Sequence, residues 1–179
     1  MRFIAQTRVL RAWMYMTLFD LVHNIPVVTD YPSTELPLQS TPKETFAFLE
    51  KELTESLPSL KQKEGSEGNG LNQGQWTQGA CAALLARLYM NASWWIDEDK
   101  TAEAEKYCEN IINGEYGFYD LDSRWDAPFD WDNDKSNELL FGYPSSFGGM
   151  HWLYDTEMFW QVAPFLSPKY FGFTDWGNC

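Results

Sequence analysis

Between residues 3 and 22 the chain reads FIAQTRVLRAWMYMTLFDLV, with Leu10, Trp13, Met14, Thr17, Leu18 and Leu21 recurring at three- and four-residue steps. That spacing predicts a helix with one broad apolar face. Phe3, Ile4, Tyr15, Met16 and Phe19 widen the face nearly all round. A helix apolar on most sides is expected to be buried on most sides. No earlier segment of this sequence offers a partner, so the chain is expected to be a piece of a longer one.

His23-Asn24 and Ile25-Pro26 end this helix, because the residue before proline is pushed out of the α region. A second begins at Thr41-Pro42-Lys43-Glu44, with Thr41 as N-cap, Pro42 in the first turn and Glu44 closing a capping box. Its face is predicted to be Phe46, Leu49, Leu53 and Leu57, with Glu50, Glu52 and Glu55 turned to water, and Pro58 stops it. Residues 61–75 form a polar, glycine-rich loop. Trp76 to Asn91 predicts a third helix. Its Gly79, Ala80, Ala82, Ala83 and Ala86 allow close approach, and Leu84, Leu85, Leu88 and Tyr89 supply bulk. After the Asp97-Glu98-Asp99 turn a fourth runs from Thr101 to Asn113, with Ala104, Tyr107, Cys108, Ile111 and Ile112 on its apolar face. Gly114 then sits where a left-handed residue ends a helix.

These elements predict a mainly α fold of two helix pairs, about 3–57 and 76–113, the second with tetratricopeptide character. Residues 116–179 are an aromatic loop region, with a short strand expected at Glu138–Tyr143 and a helical turn at Thr156–Gln161. The whole of 1–179 reads as part of a single domain.

Composition narrows the function. Thirteen basic against 26 acidic residues give a net charge of −13, which argues against binding a phosphate backbone. No run of about 18 apolar residues exists, so no transmembrane helix is expected. The first residues lack the apolar core and cleavage site of a secretory signal. Cys81 and Cys108 fall on apolar helix faces and are expected to be buried thiols. With Cys179 they form no C-x-x-C. No P-loop, G-x-S-x-G or G-x-G-x-x-G is present.

Five segments in order resemble the SusD-like (RagB/SusD) glycan-binding lipoproteins of Bacteroides-type bacteria. They are RVLRAWMYMTLFDLVHNIPVV from Arg8; STPKE leading into FLEKEL and Leu57-Pro58; GACAALLARLYM from Gly79; AEKY to Gly114-Glu115-Tyr116; and Ser136-Asn137-Glu138-Leu139-Leu140-Phe141. The resemblance covers residues 2 to about 143. It implies helix pairs crossed by aromatic loops, no catalysis, no cofactor and no metal. It also implies a place on the outer-membrane surface, held by a lipid anchor, and glycan delivery to a SusC-like TonB-dependent transporter.

Sugar recognition needs flat aromatic faces beside hydroxyl-seeking Asp, Asn or Gln. Residues 125–176 interleave Trp125, Trp131, Trp152, Trp160 and Trp176 with such side chains. Trp152 and Tyr154, near Gly148-Gly149 and Asp155, are the expected platform, with Trp160, Trp176, Trp94 and Trp95 as further candidates. Trp13 and Trp76 are expected in the core. Asp130, Asp132 and Asp134 imitate the start of an EF-hand, but Lys135 and Phe141 stand where Gly and Glu are needed. His23 and His151 have no ligand-spaced partner for zinc. Two other readings are weighed. One is a plain protein-docking module; the other is a glycosidase using Asp155 and Glu157, whose two-residue spacing points them to different faces of a helical turn.

Overall fold

The computed structural model describes residues 2–30, 36–63, 74–130 and 133–142. All of these lie in the first of two compact units, Met1–Tyr143; the second, Pro144–Cys179, lies outside the described residues. The fold is mainly α. Among the described residues five α-helices follow in order: α1 Arg2–Val22, α2 Pro42–Ser56, α3 Gln78–Met90, α4 Ala92–Ile96 and α5 Thr101–Ile112. They stack as two tetratricopeptide-like pairs, α1 on α2 and α3 on α5, joined by α2 against α3.

The start of α2 matches its sequence signal. Glu44 N donates to Thr41 Oγ1 at 3.3 Å, and Thr41 N donates back to Glu44 Oε2 at 2.8 Å. Two otherwise orphaned helix-end donors are thereby satisfied. The α3 end is capped similarly, with Ala80 N donating to Thr77 Oγ1 at 3.2 Å. Gly114 adopts the left-handed conformation at φ 77° just beyond α5, as its position predicts. Helix α4 is a single short turn after α3, ended by Asp97 at φ 58°.

The packing of α1 differs from the expectation. Its buried residues are Ala5, Val9, Ala12, Met16 and Phe19, while Leu10, Met14, Leu18 and Leu21 are exposed. Size explains the choice. Ala5, Val9 and Ala12 let α2 approach closely, and the larger side chains cannot. Tyr15 then meets Phe48 edge-on at 5.5 Å, and Arg8 and Arg11 both reach Glu52, so α1 and α2 run antiparallel.

Glu52 is a second correction. It is buried, not turned to water. Arg8 Nη2 donates to Oε1 at 2.8 Å and Arg11 Nε to Oε2 at 3.0 Å, so each carboxylate oxygen has a guanidinium. A buried carboxylate persists only with partners of this kind. Arg8 also donates to Glu55 at 2.7 Å. Those two carboxylates hold its proton more tightly than usual, and the same contact lowers Glu55.

The core is one cluster from α1 through α5, centred on Phe19, Leu49, Leu53, Leu85 and Leu88. Trp76 is buried in it, as expected, and Trp13 packs against it. Cys81 sits at the centre, its thiol 3.5 Å from the Leu53 carbonyl. Burial pushes that thiol up to about 12. Helix α5 departs from its template: only Ala104 is buried, Cys108 and Ile112 are exposed, and Cys108 is therefore not a core thiol. Residues 138–142 form no strand, since no neighbouring segment offers a ladder; among the described residues the sole β-type pairing is Lys63 with Gly117. The expected turn at Thr156–Gln161 lies outside the described residues.

Candidate functional site

After α5 the chain returns across the N-terminal end of α3, held there by aromatic contacts. Phe141 stacks on Trp76 with centroids 4.0 Å apart and an interplanar angle of 10°. Beside this stack, Gly74 N donates to the Gly142 carbonyl at 3.0 Å. Tyr119 lies directly over Gly79, its hydroxyl 3.3 Å from Thr77 Oγ1.

Lys63 fastens the same layer from below. Its backbone N–H donates to the Tyr116 carbonyl at 3.3 Å. Its buried ammonium sits 4.8 Å above the Tyr119 ring and donates to the Asn137 carbonyl and Oδ1, both at 3.3 Å. Burial lowers the lysine from its ordinary value, and Asp122 opposes that shift. Nothing in the glycine-rich context of Lys63 marks it as buried, and sequence reading passes over it.

On this base stands a loop with its aromatics in water. Asp122 accepts from Ser136, and its backbone N–H donates to Glu138 Oε1 at 2.8 Å. Arg124 clamps the turn, Nε donating to Asp126 at 2.9 Å and Nη2 to Asp130 at 2.8 Å. Those bonds raise Arg124 and lower Asp126. A short 3-10 turn over Ala127–Phe129 follows. Trp125 is 86% exposed and Phe129 82%. In the same loop a hollow of about 160 Å³ is lined by Asp122, Arg124, Ala127, Asp130, Lys135 and Ser136. Flat aromatic faces near fixed donors and acceptors suit a polyhydroxylated ligand, whose C–H face can stack while its hydroxyls find partners. Asp122 and Asp130 are engaged by Ser136 and Arg124.

The residues singled out in the sequence separate sharply. Trp94 is 79% exposed on α4. Its neighbour Trp95 is buried, with its ring 4.8 Å from Phe19, so it belongs to the core and presents no face to a ligand. Trp152, Tyr154, Trp160 and Trp176 lie outside the described residues, as do Trp131, His151, Asp155 and Glu157. His23 takes a left-handed conformation at φ 60° where α1 ends, its ring 5.6 Å from Phe19. Among the described residues no three His, Cys, Asp or Glu side chains gather as metal ligands. No described helix is long and apolar enough to cross a membrane.

No family model matches the chain. Among curated proteins it is similar to the starch-binding protein SusD of Bacteroides thetaiotaomicron, 26% identical over 137 residues, which are 76% of this chain and 23% of that protein. Among solved structures it resembles the surface glycan-binding protein A from Bacteroides uniformis, with TM-score 0.66, 21% identity, and 76% of this chain and 29% of that one covered. A SusD superfamily protein from Bacteroides fragilis gives TM-score 0.66 at 20% identity, covering 82% and 30%. A laminarin-binding SusD-like protein gives 0.59 at 20%, covering 72% and 28%. The chain thus spans about a quarter of the length of the curated relative it matches. The chain is thus similar in sequence to a SusD protein and shares its helical stack with SusD-like structures.

Proposed function

We propose that this chain is part of a protein that binds oligosaccharide or polysaccharide without catalysis, at the outer-membrane surface, and delivers it to a SusC-like TonB-dependent transporter. The observation that carries the reading is the match to a starch-binding protein, supported by likeness in fold to laminarin- and surface-glycan-binding proteins. The exposed rings of Trp94 and Trp125 and the polar hollow by Arg124 accord with it. A lipid anchor in the whole protein belongs to the same proposal. Trp152 with Tyr154 remains the proposed platform, with Trp94, Trp160 and Trp176 as further proposed glycan-binding residues.

The test is titration calorimetry of the full-length protein against plant, host and microbial glycans, with Trp152→Ala beside the parent. Loss of about 1–3 kcal/mol of binding with an unchanged melt places Trp152 in the site. A fall of about 3–5 kcal/mol in stability, with binding lost only through unfolding, makes it a structural residue. No binding by the parent to any glycan, or release of reducing sugar, overturns the function itself.

A further inference from the structure

The turn that begins at Asp122 is cross-linked throughout by its own polar groups. Arg124 Nε and Nη2 hold Asp126 and Asp130. Asn133 Nδ2 donates to the Pro128 carbonyl at 3.1 Å, and the Ser136 amide to the Asn133 carbonyl at 3.0 Å. Ser136 Oγ donates to Asp122 and accepts from the Glu138 amide at 3.2 Å. Between them Asn137 takes the buried Lys63 ammonium, which anchors the turn to the layer on α3.

Three large apolar side chains of this turn, Leu121, Trp125 and Phe129, nevertheless stand in water. Holding the loop does not require them, because Tyr119 and Phe141 already make the contacts with α3 and Trp76. A ring on a cross-linked turn loses little freedom when a ligand stacks on it. Arg124 and Ala127 both line the hollow of about 160 Å³, so Trp125 leaves the chain at its rim. Pockets that enclose a small molecule measure about 300–1,000 Å³. The smaller hollow therefore suits the hydroxyl edge of one sugar ring whose apolar face lies on Trp125.

Charge decides which sugar fits. Arg124 and Lys135 are the only basic residues between positions 120 and 138, where acidic residues outnumber them. The Nε and Nη2 donors of Arg124, which would fork onto a ligand carboxylate, already face Asp126 and Asp130. A uronate or sulfate at the rim would meet Asp122 and Asp130, in a chain of net charge −13. An uncharged sugar meets no such repulsion, and its hydroxyls can donate to the same carboxylate oxygens, which accept more than one bond each. We propose that the hollow at Asp122, Arg124, Asp130 and Ser136 is a further glycan subsite, with Trp125 as its stacking ring and with selectivity for uncharged sugars over uronic or sulfated ones. The subsite rests on the glycan-binding function proposed above and is additional to the Trp152 platform.

The test is calorimetry of the full-length protein with uncharged glycans (starch, laminarin, xylan and mannan) and anionic ones (polygalacturonate and heparin). Trp125→Ala and Trp125→Tyr are titrated and melted beside the parent. Trp125→Ala should weaken binding of uncharged glycan by about 5-fold or more at an unchanged melting temperature. Trp125→Tyr, which keeps a flat face, should restore most of that affinity. Anionic glycans should show no binding that depends on Trp125. Glycan binding that Trp125→Ala leaves unchanged overturns the subsite alone and leaves the function of the protein standing. Affinity lost together with a lowered melt makes Trp125 a structural residue and also overturns it. Anionic binding that falls with Trp125→Ala overturns the selectivity. A parent that binds no glycan overturns the proposed function itself, and the subsite with it.

Discussion

Tyr119 lies so close over Gly79 that a Cβ built at Gly79 would fall 2.5 Å from the Tyr119 Cε2 and Cζ atoms. The glycine is there for space, since it is not among the positive-φ glycines. Its bare α-carbon lets the loop after α5 rest on the first turn of α3. Gly79→Ala should therefore cost about 1–3 kcal/mol as an overpacked contact. Tyr119→Ala in the same chain should recover part of that loss, and a denaturant double-mutant cycle measures the coupling. Additive effects would mean that the two residues are not in contact.

Among the described carboxylates Glu52 should be more sensitive than its exposed neighbour Glu55. It is buried between Arg8 and Arg11, so removing its charge takes this carboxylate from Arg11 and leaves Arg8 with Glu55 alone. Glu52→Gln should destabilise by about 1–3 kcal/mol. Glu55→Gln, at an exposed position that shares Arg8, should stay within about 1 kcal/mol. Chemical denaturation of the two variants checks the contrast.

Adjacent tryptophans should behave in opposite ways. Trp95→Ala opens a hole beside Phe19 and should cost about 3–5 kcal/mol of stability. Trp94→Ala removes an exposed ring and should change stability by no more than about 0.5 kcal/mol. Any effect of Trp94→Ala on glycan affinity is then a binding effect, which paired melts and calorimetry separate.

Alkaline sensitivity should trace to Cys81. Its folded pKa is raised to about 12, so the native state keeps a proton that the unfolded chain releases. The resulting stability is complete below the unfolded thiol value, about 8.5, and declines as pH rises toward 12. Burial raises Tyr89, Tyr107 and Tyr119 as well, adding loss in the same direction from about pH 10 upward. Between about pH 8.5 and 10 the falling part of the slope should be the cysteine's, with Lys63, lowered by burial, acting in the opposite direction. Melting curves across that window should flatten in Cys81→Ala; an unchanged slope would show that the thiol is not protected.

The sequence by itself determined the four longer helices and several of their ends. Thr41-Pro42-Glu44 and Gly114 act through bonds and backbone angles a few residues away, so they read correctly without knowledge of the fold. The ordered motifs from Arg8 to Phe141 were legible for the same reason, and they carried the resemblance. Only the tertiary structure decided which face of α1 turns inward. Two apolar stripes are equal as patterns, and the choice went to the one with Ala5 and Ala12 because close helix contact rewards small residues. Burial of Glu52 depended on two arginines more than forty positions away in the chain. Trp94 and Trp95 look alike in sequence. One ring meets water and the other meets Phe19, because a helix turns each residue about 100° from the last and only a packed neighbour makes that rotation matter.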